Sequence, residues 1–193
     1  MTRLSPTGSS ATLEDLTRAR DQGLQVELID GQIIEKAAPS PEHGSAQLGL
    51  GDVLGPFRGR DGGGRGPGGW WLMTEVEVRY GADVYRHDAV GFRRDLHPVR
   101  PTGLPVSARP DWVCEILSRS TARYDMVQKL RTLHSAGVPF YWLLDPERAT
   151  LTVLKHEPQA YATLLTAASG EVVHAEPFAA HPIAIAQLLG DED

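Results

Sequence analysis

The chain has 193 residues, 41% hydrophobic and 23% charged, which suits one domain with a buried core and excludes a disordered tail. A net charge of −6 argues against a histone-like coating of nucleic acid, and a single cysteine, Cys114, excludes a disulfide framework and a cysteine-based zinc site. No apolar run approaches the ~18 residues of a membrane span and the opening MTRLSPTGSS lacks a signal-peptide core, so the expected location is the cytoplasm, with no membrane partner.

Residues 1–10 are expected to be frayed. Thr12 is placed to cap a first helix that carries Leu13, Leu16 and Ala19 on one face and stops near Gly23. Val26–Ile29 and Ile33–Glu35 flank Asp30-Gly31, a strong hairpin signal. After the break at Pro39-Ser40-Pro41, His43 to about Phe57 reads as a helix, with Ala46, Leu50, Val53 and Leu54 at helical spacing. The glycine-rich stretch 59–69 lacks the Gly-Lys-Ser/Thr and the strand-to-helix setting of a phosphate-binding loop, and reads as a flexible connection.

Trp70–Tyr80 alternates, with Met73, Glu75, Glu77 and Arg79 against Leu72, Thr74, Val76 and Val78, which predicts a strand whose glutamates lie on a solvated face. A turn at Gly81-Ala82-Asp83 leads into a second strand, Val84 to Phe92. Beyond a proline-rich loop, Asp111–Leu117 is almost continuously apolar, as in a strand buried on both faces. Ser118 to Thr121 supplies caps for a helix from about Ala122 to Ser135, stopped by Gly137. Phe140–Leu144 is another buried strand. Thr150–Leu154, Tyr161–Leu165 and Glu171–His174 read as a closing antiparallel meander, and His181-Pro182 as the start of a last helix to about Leu189. The order predicts a single α/β domain over 1–193: a central mixed sheet flanked by helices, with a hairpin added near the N-terminus.

Two acids interrupt apolar strands, Asp88 and Glu115. A bare carboxylate in a buried strand costs several kcal/mol unless it is paired, protonated or bound to metal. With these two on neighbouring strands in register, both converge on one hard cation, and an oxygen donor set suits Mg²⁺ or Mn²⁺ rather than zinc. Lys129 sits at the edge of the helical stripe formed by Met126, Val127, Leu130 and Leu133, from where its ammonium can reach the carboxylates. Its structural alternative is an i,i+4 pair with Asp125, worth ~0.3–0.5 kcal/mol. Glu27, Glu35 and His43 are weaker accessory candidates. Residues 86–131 carry 9 basic and 5 acidic groups, so an acidic chain has a basic middle in which Arg86, Arg119 and Arg123 are phosphate-contact candidates. The alternative is a solvated surface in an arginine-rich chain.

The run Arg109-Pro110-Asp111-Trp112-Val113-Cys114-Glu115-Ile116-Leu117-Ser118-Arg119-Ser120-Thr121, followed by Asp125, Lys129 and Ala136 to Pro146, resembles the signature of the Uma2-like restriction-endonuclease family, as do Val26 to Gly31 and His43. The likeness runs from about residue 11 to 165. It implies a PD-(D/E)XK nuclease core, in which an Asp and a Glu on neighbouring strands are followed two positions later by Lys. That position holds Leu117 here, and the resemblance puts the lysine on the helix as Lys129. His87-Asp88 stands where the family has Pro-Asp, and Ser118-Arg119-Ser120-Thr121 where it has Ser-Pro-Ser-Thr.

The implied activity is hydrolysis of DNA phosphodiesters. Asp88 and Glu115, with the Ile116 carbonyl, would hold Mg²⁺ or Mn²⁺, and Lys129 would orient water or stabilise the transition state. Glu27 or Glu35 would complete a second metal site, the basic middle would contact phosphates, and a homodimer would cut both strands. A non-catalytic nucleic-acid- or partner-binding module on the same scaffold is the main alternative. A glycosidase with paired carboxylates ranks below both, because Trp112 and Trp142 sit in core-like strands.

Overall fold

The computed structural model of the protein describes residues 10–36, 38–60, 66–118 and 125–191. Helix α1 (Leu13–Asp21) starts at a reciprocal cap: Thr12 Oγ1 accepts from the Asp15 N–H, and Asp15 accepts from the Thr12 N–H at 2.9 Å. Strands β1 (Val26–Ile29) and β2 (Gln32–Glu35) form the expected hairpin, with Asp30 and Gly31 at φ of 48° and 66°, as its two-residue turn demands. Helix α2 (Pro41–Val53) begins two residues earlier than its apolar spacing indicates, because Ser40 caps it and Pro41 takes the first turn, where a missing N–H costs nothing. It ends in a 3₁₀ turn at Gly55–Phe57.

Strands β3 (Trp70–Tyr80) and β4 (Asp83–Arg93) make a long antiparallel hairpin. Strand β5 (Trp112–Ile116) pairs with the far half of β4. A π-helical turn at Asp125–Lys129 continues into α3 (Leu130–Ser135), which returns the chain to β6 (Phe140–Asp145), parallel to β5. Strands β7 (Thr150–His156) and β8 (Tyr161–Ala168) add antiparallel edges. The sheet order is β2-β1-β4-β5-β6-β7-β8, with β3 also on β4. This is the mixed sheet flanked by helices that the sequence predicts.

Strand β5 separates two cores. Trp112, Cys114 and Ile116 pack with Ala46 and Leu50 of α2, whereas Val113 and Leu117 pack with Leu133 of α3. Two expectations need correction. Val172–Val173 (β9) does not join the meander; it pairs with Ile183–Ala184 (β10) in a separate two-stranded sheet. The last helix, α4 (Ile185–Leu188), is short as expected but starts at Ile185, because Ile183–Ala184 is held extended by its pairing with β9, which leaves Pro182 outside the helix.

The feature that places the site is a fork. Strand β4 pairs with β1 at Val84, opposite Leu28, and with β5 at Ala89, Val90 and Gly91. Strand β3 runs along the other edge, so β1 and β5 share one edge and diverge around residues 85–88.

Candidate active site

At the level of the fork the side-chain alternation of β3 and β4 inverts. Trp71 and Met73 pack in the same core as Val76, Val78 and Tyr80, so the odd positions face that core before Glu75 and the even ones after it. The change occurs at Glu75, whose φ is 55°, in the left-handed region that a strand residue avoids. The β3–β4 register does not slip, yet no pair forms between Glu75 and Asp88. Gln47 of α2 enters this break and donates to the Asp88 carbonyl at 3.2 Å and to Glu75 Oε1 at 3.1 Å. The expected solvated face holds for Glu75, which is exposed and borders a cavity of about 840 Å³, and is corrected for Glu77, which is buried in an ion pair with Arg20 of α1.

Asp88 and Glu115 both line the cavity, with His43, Glu75, Arg86 and Lys36. Asp88 Oδ2 accepts from the Ile116 N–H at 2.8 Å, and Oδ1 lies 3.1 Å from Lys36 Nζ and 3.7 Å from His43 Nε2. Burial works to raise the Asp88 pKa, but Lys36, Lys129, His43 and the Ile116 N–H together hold it below the usual carboxylate value. Lys36 stays charged for the converse reason. Burial and Lys129 oppose its ammonium, and Asp88, Glu115 and Glu27 overcome them and raise its pKa.

Glu115 is held from behind. Its Oε1 lies 2.6 Å from His87 Nδ1 and its Oε2 2.9 Å from Lys129 Nζ. Burial, then the charges of Lys129 and Lys36, push the His87 pKa well below its ordinary value, so the ring is neutral. A neutral ring between a carboxylate and a phenol has one consistent tautomer. Nδ1–H donates to Glu115, and Nε2 accepts from the Tyr80 hydroxyl at 2.8 Å. Lys129 also lies 3.5 Å from Glu27 Oε1, which accepts from the Arg86 N–H at 2.8 Å.

The structure therefore brings Asp88, Glu115, Lys129, Glu27, His43 and Arg86 to one place. Arg86 is already engaged, its Nε 2.8 Å from Glu75 Oε2. Glu35, at the end of β2, is not among the described residues that line the cavity. Arg119, Arg123 and the Asp125 side chain lie outside the described residues. Sequence reasoning missed Lys36, Glu75, Gln47 and the role of His87. One signal for Lys36 was present: the chain has only three lysines, Lys36, Lys129 and Lys155, and two of them are in this site.

Among the described residues, His43, Glu75 and Asp88 each offer a ligand atom, all within 4.8 Å of one another. One imidazole and two carboxylates can hold a divalent cation, and two of the three, Glu75 and Asp88, stand at the break in the hairpin. Glu27 Oε2 has no hydrogen-bond partner among the described residues.

The family described as "Uma2: Putative restriction endonuclease" matches residues 11–186. The chain belongs to the Uma2 family. A solved structure from Anabaena variabilis, described as "a putative nuclease belonging to DUF820", is 21% identical and superposes with a TM-score of 0.67, over 92% of this chain and 97% of that one. It shows that this Uma2 chain has the restriction-endonuclease-like fold that the sequence predicts. No curated protein matches the chain. No helix among the described residues is long and apolar enough to cross a membrane.

Proposed function

We propose that this Uma2 protein is a divalent-metal-dependent endonuclease that hydrolyses DNA phosphodiester bonds in the cavity around Asp88. The observation that carries the reading is the convergence of His43, Glu75 and Asp88 on one point beside buried Glu115, at a break in an otherwise regular hairpin. Asp88 would be the common ligand of the cation. His43 and Glu75 share a cluster with it, and Glu115 and the Ile116 carbonyl would complete the donor set. Such a cation supplies charge neutralisation at the scissile phosphate and acidifies water. The protein's own groups do the rest. Asp88 and Glu75 present negative charge to one wall of the cavity, while Lys36 and Arg86 present positive charge to a phosphodiester. Lys129 and His87 fix both oxygens of Glu115, so that this carboxylate keeps one orientation through the reaction. In the balanced reaction a water oxygen bonds to phosphorus, the bond from phosphorus to the leaving sugar oxygen breaks, and that oxygen takes up a proton as the water loses one.

Nicking of supercoiled plasmid with Mg²⁺, with Mn²⁺ and with chelator tests the reading, alongside calorimetric titration of Mn²⁺ in the same preparations. Wild type is expected to nick only with metal. Asp88→Asn should lose both nicking and metal binding, and Glu115→Gln should lose nicking. Loss of a ligand's orienting partner typically weakens a metal by ~10–100-fold, so His43→Ala and Glu75→Gln, which remove ligands themselves, should weaken Mn²⁺ by at least that order. A wild-type protein that binds DNA but leaves plasmid, single strands and RNA intact with either metal would make it a binding module.

A further inference from the structure

We propose that Lys36, not Lys129, is the ammonium that contacts the scissile phosphate, and that Lys129 acts only by positioning Glu115. The inference rests on the nuclease reading above. Both lysines sit beside the acids, but they face different ways. Lys129 is 1% exposed, is not among the described residues lining the cavity, and lies between Glu115 and Glu27. To meet a substrate it would have to break its contacts with two buried carboxylates, which is strongly unfavourable.

Lys36 follows β2 and lines the cavity itself. Its Nζ donates to the Arg86 carbonyl at 3.0 Å and to Asp88 Oδ1 at 3.1 Å. An ammonium has three donors, so with two acceptors among the described residues one remains for a ligand oxygen. Its position is also rigid. One acceptor is backbone of β4, and the other is a carboxylate itself pinned by the Ile116 N–H. A donor fixed before the substrate arrives, 3.1 Å from the acid that would hold the cation, is where developing charge on a phosphoryl oxygen is best met. The N-terminal hairpin thus supplies a cationic group that the strand of Glu115 lacks, Leu117 standing two positions after it.

The experiment uses the full chain and a sequence-independent probe, thymidine 3′,5′-bisphosphate. Protein labelled with ¹³C at the lysine ε carbon shows one signal for each of its three lysines, assigned with Lys36→Arg and Lys155→Arg. With bisphosphate and Ca²⁺ together, the Lys36 signal is expected to shift while those of Lys129 and Lys155 stay. In plasmid nicking, Lys36→Met should lower the turnover rate by ~100-fold or more, with partial recovery in Lys36→Arg. An unmoved Lys36 signal, a shift that Ca²⁺ alone reproduces in full, or wild-type nicking by Lys36→Met would each overturn the proposal. The Ca²⁺-only result would make Lys36 merely the counter-ion of Asp88. If the Lys36 signal shifts with bisphosphate but wild type nicks nothing, the phosphate contact stands and the nuclease reading falls.

Discussion

Replacing Lys129 by methionine removes the cation from between Glu115 and Glu27 while keeping most of the side chain's volume. The ammonium lies 2.9 Å from Glu115 Oε2 and 3.5 Å from Glu27 Oε1, separations worth roughly 6 and 5 kcal/mol of gross attraction at an effective dielectric near 20. Most of that offsets the cost of burying three charges, so the gross figure is not the loss. Breaking a buried pair by deleting one partner costs ~3–5 kcal/mol. With a urea m-value of about 2 kcal/mol/M, the unfolding midpoint should fall by ~1.5–2.5 M. Glu115→Gln should destabilise less, since His87 Nδ1–H can still donate to an amide oxygen. The double variant should then lose less than the two single losses together, with a coupling energy of about 1.5–3 kcal/mol. Urea unfolding of all four proteins, followed by tryptophan fluorescence, measures this directly. A Lys129→Met protein within 1 kcal/mol of wild type, or strictly additive losses, would refute the claim that Lys129 serves to hold Glu115.

His87 gives a pH signature. Its folded pKa is depressed by burial and by Lys129 and Lys36, so below the unfolded histidine value of about 6.5 the unfolded chain binds a proton that the native chain refuses. Wild-type stability should therefore fall as pH drops through that value, by up to ~1.4 kcal/mol per unit for this proton, and His87→Asn should show a shallower decline in pH-dependent urea melts. Helix α2 offers a matched pair. A Cβ on Gly49 would lie 2.2 Å from the Gln187 carbonyl, so Gly49→Ala should cost about 1–3 kcal/mol, whereas Gly51 has nothing within 4 Å and Gly51→Ala should stabilise by roughly 0.5–1 kcal/mol in thermal melts. Equal effects of the two substitutions would show that the close approach of α2 to α4 is not as described.

Asp30-Gly31, the Thr12 cap and the apolar β5 were legible because each is a local signal with a local cause. Asp88 and Glu115 were legible as costly acids in buried strands. The inversion at Glu75 was not. A run of eleven residues that keeps alternating in sequence gives no sign that one of them is left-handed, least of all when it is glutamate rather than glycine or asparagine. The same inversion turned Glu77 inward to Arg20, because α1 covers a face that the sequence pattern assigned to water. Lys36 was hidden for a topological reason. Its distance from Asp88 depends on β1 and β5 sharing an edge of β4, which no spacing within the hairpin encodes.

The fork also explains why charged groups occupy this part of the sheet at all. Where β1 and β5 part from β4, backbone N–H groups lose the carbonyls that a continuous ladder would give them, and a buried donor must be satisfied. The acids supply the acceptors. Glu27 takes the Arg86 N–H, and Asp88 takes the Ile116 N–H, each at 2.8 Å. Carboxylates are stronger acceptors than carbonyls, and Lys36 and Lys129 compensate the charge this brings into the core. The groups that close the split sheet are thus the same groups that the proposed reading assigns to a cation and a phosphate. Asp88 serves both ends through different oxygens, Oδ2 for the backbone and Oδ1 facing Lys36 and His43. Asp88→Asn keeps an oxygen for the Ile116 N–H but sets an uncharged amide against the Lys36 ammonium, so it removes the charge that faces the cavity and also costs stability.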